Sequence, residues 1–203
     1  MNNFFLYKFN YAEKVKGVNE HLSATVIFCD RPDIDEDNLR DEITRFYQKN
    51  YQTDRIFVIA GQYLEKQVKN IFLTKQETVF KGIPKRQETF LGDNLFLLVF
   101  DKDGKLKCIN GKRHSTTFEQ KFLNEGLQDI FVKRGGLVTS HGAHHYVFPS
   151  GKHCDKFLRT GNILLNSSEI YFIAFALLPH FNEQLHRQIY CDTPQLIVWH
   201  LLW

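Results

Sequence analysis

Short apolar runs alternate with amphipathic stretches along the first half of the chain. Residues 24–29 (ATVIFC) form a β-branched run ended by DRPDIDED, and residues 55–60 (RIFVIA) form a second, closed by Gly61. Both predict strands. Between them Leu39, Ile43, Phe46 and Tyr47 recur at i, i+4, i+7 and i+8 behind a cluster of acids. That spacing predicts a helix over 35–50, with its acids where the helix dipole favours negative charge. Residues 62–73 repeat the pattern, with Leu64, Val68, Ile71 and Phe72 on one side. NLFLLVF (94–100) predicts a buried strand, and the DKDGK and LKCIN that follow predict a hairpin about Asp103-Gly104.

The polar stretch GKRHSTT (111–117) marks a boundary between two halves. Beyond it, residues 118–132 carry Phe122, Leu123, Leu127, Ile130 and Phe131 at helical spacing and stop at Gly135-Gly136. The segment HHYVFPSGKHCDKFLRTGNIL (144–164) reads as strand, turn and strand. Asn166-Ser-Ser-Glu169 has the form of a capping box and opens a helix over 167–178 that ends near Pro179. QIYCD (188–192) predicts a last strand. The expected fold is α/β in two parts: a mixed α/β domain over 1–112, and a second unit over 113–203.

Composition adds a large aromatic core. The chain has 203 residues, 43% of them hydrophobic, and 19 are Phe; each buried ring removes roughly 150–250 Å² from water. A net charge of +3 gives no indication of nucleic-acid binding, which calls for a strongly basic face. The four cysteines form no CxxC pair, no apolar run has the ~18 residues of a membrane span, and MNNFFLYKFNY lacks the pattern of a secretory leader. The expectation is a soluble, cytoplasmic protein with reduced thiols and no membrane contact.

Three stretches carry candidate chemistry. DKDGKL (101–106) follows an apolar strand, as does the nucleophile motif of haloacid-dehalogenase-like phosphatases, but Lys105 stands where that motif has Thr, and a hairpin turn explains the residues better. VIFCDRPDIDED (26–37) is similar to the strand and acidic pair that hold ribose in phosphoribosyltransferases, yet it lacks the Gly and Thr residues of that loop. Its acids therefore read as helix-capping groups. His141, His144, His145, His153 and Cys154 raise the possibility of a zinc centre in a metal-dependent enzyme. Neighbours on a strand point to opposite faces, so His144 and His145 do not reach one ion together, and the expectation is no metal there.

Tyr146, Phe148, Ser150, Gly151, Lys152, Phe157 and Arg159 form an aromatic strand, a Ser-Gly turn, a basic residue, then an aromatic and an Arg. With the helix before it and the helix and strand after it, this arrangement resembles the first part of type I phosphoribosyltransferases, most closely the orotate branch, over about residues 118–193. The resemblance implies a hood over a base and a ligand that is a nucleotide, a nucleobase or phosphoribosyl pyrophosphate. It implies binding residues Ser150, Gly151, Lys152, His153 and Arg159, joined by Asp192 and Thr193 at a pyrophosphate loop, and Mg²⁺ where the whole site is assembled. Physically, a Ser-Gly turn lets backbone approach an oxyanion, and Lys152 and Arg159 supply charged donors. Pro149 stands where orotate enzymes present a base-contacting Lys, which argues against orotate itself. The later strands and the ribose-phosphate loop of that family do not follow, so the expectation is a shortened chain, inactive alone. The closing PQLIVWHLLW predicts an apolar end covered by a second copy or a partner chain. The alternative is a non-enzymatic interaction or regulatory protein in which the SGKH turn is only structural.

Overall fold

The computed structural model describes residues 4–15, 18–32, 34–51, 53–83, 94–111, 116–140, 145–147 and 150–180. They form a mixed α/β fold. β1 (Phe5–Val15) and β2 (Val18–Cys29) are antiparallel, and α1 (Glu36–Lys49) leads to β3 (Arg55–Gly61), parallel to β2. A 3-10 turn (Gln62–Leu64), α2 (Glu65–Lys69), a π turn (Asn70–Thr74) and α3 (Gln76–Val79) lead on to β4 (Leu95–Phe100), parallel to β3. β5 (Leu106–Asn110) returns antiparallel beside β4, giving a five-stranded sheet in the order β1-β2-β3-β4-β5.

The three parallel strands are the apolar runs of the sequence, as expected of strands covered on both faces. One face carries Ile27, Cys29, Val58, Ala60 and Leu97 against Leu39, Ile43 and Tyr47 of α1 and against Leu64, Val68, Ile71 and Phe72. The predicted helical stripes therefore do face the sheet. The stretch predicted as one helix over 62–73 instead changes pitch twice, passing through 3-10, α and π turns.

β1 is not among the elements predicted above. Its residues alternate: Phe5, Tyr7, Phe9 and Tyr11 are buried on the second face of the sheet, while Lys8, Asn10 and Ala12 are exposed. That second face is covered by α4 (Thr116–Lys133) and, later in the chain, by α6 (Ser167–Leu177). The cluster there holds twelve sheet residues, among them Phe5, Phe28, Phe57 and Phe100, together with Phe122, Ile130, Phe172 and Phe175. Phe172 meets Phe5, Tyr7 and Phe28 at ring-centroid distances of 4.9, 5.5 and 5.3 Å. Tyr7 donates its hydroxyl proton to the Phe122 carbonyl at 2.8 Å. The boundary expected at 112/113 lies outside the described residues, but one apolar cluster draws side chains from both sides of it.

α4 ends as its glycines predict. Gly136 N–H donates to the Phe131 carbonyl at 2.8 Å, and Gly135 N–H to the Val132 carbonyl at 3.1 Å, with Gly135 at φ 58°. This pair of bonds is the Schellman closure, which needs the left-handed conformation that glycine adopts without strain. Between α4 and α6 lie β6 (Leu137–Thr139), β7 (Tyr146–Val147), β8 (His153–Cys154), β9 (Lys156–Leu158) and the single turn α5 (Thr160–Ile163). β6 pairs with β9 and β7 with β8, both antiparallel, so the predicted strand-turn-strand is a two-step ribbon.

The predicted capping box at Asn166 forms only by half. The Asn166 side chain accepts from Ser168 N–H at 3.3 Å, but Glu169 does not reach back to the cap. Its carboxylate accepts from Arg134 Nε and Nη2 at 2.8 and 2.9 Å. Glu169 is buried, and this pairing ties the start of α6 to the end of α4. The strand expected at 188–192, the pyrophosphate loop with Asp192 and Thr193, and the apolar end at 196–203 all lie outside the described residues.

Candidate functional site

The ribbon is built from two short ladders. Leu137, Val138 and Thr139 face Leu158, Phe157 and Lys156, and Tyr146 and Val147 face Cys154 and His153. Ser140 N–H donates to the Asp155 carbonyl at 2.8 Å where the ladders meet. Ser150 and Gly151 turn the chain at the tip, with Gly151 at φ 77° and no side-chain or backbone atom within 4 Å of where a Cβ would sit. Ser150, Gly151, Lys152 and His153 are all exposed.

Arg159 is also exposed, but it stands at the other end of the ribbon. Its backbone N–H donates to the Gly136 carbonyl at 2.6 Å, at the base where α4 hands over to β6. The structure therefore brings Ser150, Gly151, Lys152 and His153 together and leaves Arg159 apart, separated by the length of β8 and β9. A ligand touching only the tip meets Lys152 as its cation.

Of the histidine cluster, His141 and His144 lie outside the described residues. His145 and His153 are diagonal neighbours on one side of the β7–β8 ladder, their ring centroids 6.2 Å apart and edge-on. Cys154 lies on the opposite side of its strand. Among the described residues, no group of three or more His, Cys, Asp or Glu side chains converges.

Asp101 caps the β4–β5 hairpin. Its carboxylate accepts from the N–H groups of Asp103 and Lys105, both at 2.9 Å, and Gly104 turns at φ 76°. Turn closure thus occupies one oxygen of the side chain that the phosphatase-like motif would use as nucleophile. The acids after β2 divide in two. Asp35 caps α1, accepting from Asp37 N–H at 3.0 Å and Asn38 N–H at 3.3 Å. Asp30 does not cap it: it sits at the carboxyl end of β2 and accepts from the Tyr63 hydroxyl at 2.9 Å.

Asp30 and Tyr63 are the pair that the sequence reading misses. Gly61, at the carboxyl end of β3, has the Tyr63 ring lying over it, so close that a Cβ would sit 2.4 Å from Tyr63 Cε1 and 2.8 Å from Asp30 Oδ1. Burial pushes the Asp30 carboxyl up to about 6, against the opposing pull of the Tyr63 hydrogen bond. The Tyr63 phenol is pushed up as well, by burial first and then by the Asp30 charge. Carboxyl ends of parallel strands are where open α/β sheets bind ligands, but they do so at a reversal of strand order. β2, β3 and β4 step in one direction, so no such crevice opens between them among the described residues. A usable signal was the position of Asp30 directly after the apolar run, six residues before α1 begins.

No protein-family model matches the chain, and no curated protein or solved structure matches it either. Among the described residues no helix is long and apolar enough to cross a membrane.

Proposed function

We propose that this chain is a phosphoribosyltransferase-like binding protein, with the tip of the ribbon closing on a phosphorylated ligand of the nucleotide or phosphoribosyl pyrophosphate class. The observation that carries this reading is the tip itself. A left-handed glycine leaves the backbone of 150–152 bare to an approaching oxyanion, and Lys152 and His153 stand exposed beside it. The distance of Arg159 from the tip makes it a contact for a different part of the ligand, or for none.

Binding, not turnover, is the proposed activity. In that family catalysis consists of positioning and electrostatic stabilisation of a ribose cation between base and pyrophosphate. Mg²⁺ would supply charge neutralisation at the phosphates. Among the described residues no group of three or more His, Cys, Asp or Glu side chains converges to hold the ion, so it would arrive with the ligand.

Calorimetric titration with phosphoribosyl pyrophosphate, with and without Mg²⁺, tests the reading. Wild-type protein should bind, and Lys152→Ala should weaken binding by roughly 1–3 kcal/mol, the range for a hydrogen bond to a charged group. Equal affinity in the two proteins would end the phosphate-tip reading.

A further inference from the structure

A second surface lies away from the ribbon, at the outer edge of the sheet. β1 ends the strand order, and its outer edge pairs with no strand among the described residues. A cleft of about 450 Å³ runs along Phe4–Lys8. Consecutive residues of a strand line one cleft only where that cleft faces the strand's edge, because alternate side chains point to opposite faces. The walls confirm the position: Glu42, Arg45, Phe46 and Lys49 of α1 come from one helical layer, and Asp129, Lys133 and Glu169 of α4 and α6 come from the other. Among the described residues the cleft is thus an open strand position, with a helix beside each of its faces.

The two walls differ in charge. On the α4–α6 side, Asp129 pairs with Lys133 at 3.2 Å and Glu169 pairs with Arg134 at 2.8 Å, so those carboxylates are already neutralised. On the α1 side the one acid, Glu42, is buried, while Arg45 and Lys49 are exposed, as is Lys8 of β1, so three cations face one carboxylate there. None of the three cations makes an ion pair among the described residues. Lys49 also complements the carboxyl end of α1, which gives it a local role. Arg45 and Lys8 have no such role. Lys8 protects the bare edge against uncharged strands and leaves it open to acidic ones.

We propose that the edge of β1 receives an extended acidic segment of a partner protein as a sixth strand, by strand addition. Its backbone would pair with residues 4–8. Its carboxylates, at alternate positions, would point to the α1 side and meet Lys8, Arg45 and Lys49, and neutral side chains would lie on the α4–α6 side. A second copy of this chain fits less well. A two-fold axis normal to the sheet would set α1 against its own copy, bringing Arg45 and Lys49 towards the same cations.

The probe is an acetylated, amidated octapeptide of alternating Val and Glu, fluorescently labelled and followed by anisotropy, beside the same peptide with Lys for Glu. The Glu peptide should bind and the Lys peptide should not. N-methylation of the Glu peptide at alternate residues should abolish binding without any change to the protein. The double variant Arg45→Glu/Lys49→Glu, altered only at exposed positions, should bind the Glu peptide on the order of tenfold more weakly. The proposal is overturned if the Glu peptide fails to bind, or if N-methylation or the double variant leaves its affinity unchanged.

Discussion

The sheet with its two helical layers and the ribbon over 137–158 are built on opposite terms. In the sheet, β2, β3 and β4 are held by long ladders, and the central side chains Val26, Ile27, Phe57, Val58 and Leu97 are at most 1% exposed. In the ribbon the ladders are three and two pairs long, and Val147 is 61% and Phe157 37% exposed. Packing dictates the residue types of the sheet and leaves those of the ribbon tip largely free. Lys152 and His153 stand exposed beside the left-handed glycine of the tip, and packing dictates neither.

Truncating one ring in each region separates the two most strongly. Phe172→Ala empties the centre of the aromatic cluster, where Phe172 is fully buried, and should cost about 3–5 kcal/mol in urea unfolding. Phe157→Ala should cost less than about 1 kcal/mol. Similar losses in both would mean that the ribbon is as much part of the core as the sheet.

Next in size is the pair that fastens α6 to α4. Arg134→Met strands the Glu169 carboxylate, whose side chain is 4% exposed, without its partner. The expected loss is about 2–3 kcal/mol, below the figure for a fully buried pair because the Arg134 side chain is 31% exposed. Adding Glu169→Gln should recover part of it, and a double-mutant cycle measures the coupling.

The smallest effect concerns Asp30. Burial holds its folded-state carboxyl up at about 6, whereas the unfolded chain releases that proton at the usual value of about 3.9. Between these pH values the folded state binds the extra proton, so the contribution of Asp30 to stability falls as pH rises through the window and its cost is complete above about 6. Asp30→Asn keeps an acceptor for Tyr63 and removes the charge. It should stabilise the protein by about 1–2 kcal/mol at pH 8 and change nothing at pH 3, as read from denaturant midpoints at each pH. An equal gain at both pH values would assign the effect to packing.

Legibility followed burial. The apolar runs at 24–29, 55–60 and 94–100 could be read because strands covered on both faces admit almost no polar side chain. The stripe Leu39, Ile43, Tyr47 could be read because α1 has one wet side. The alternation Phe5, Tyr7, Phe9, Tyr11 carries an equally plain two-residue period, and β1 was within reach of the same rule. The π turn was not: Ile71 and Phe72 are buried under either pitch, so their spacing does not reveal it. Glu169 misled because a capping box and a long-range ion pair ask for the same residue, and only the position of Arg134 across the glycine turn distinguishes them. At the site, the exposed turn at 150–152 was legible from Ser-Gly-Lys. The separation of Arg159 from it was not, because it depends on the register of β6 with β9. The Asp30–Tyr63 pair joins the ends of two strands, and such a contact leaves no mark in either stretch alone.

The ribbon tip is proposed above as a ligand-binding surface beside a tightly packed sheet. Hydrogen exchange with and without phosphoribosyl pyrophosphate and Mg²⁺ tests it most directly. The account predicts that amides of 150–154 exchange rapidly in the free protein and are protected on addition of the ligand, while those of β2, β3 and β4 are slow throughout, and that Lys152→Ala removes the ligand-dependent protection. Protection that is unchanged by the ligand at the tip, or that appears equally in Lys152→Ala, would contradict it.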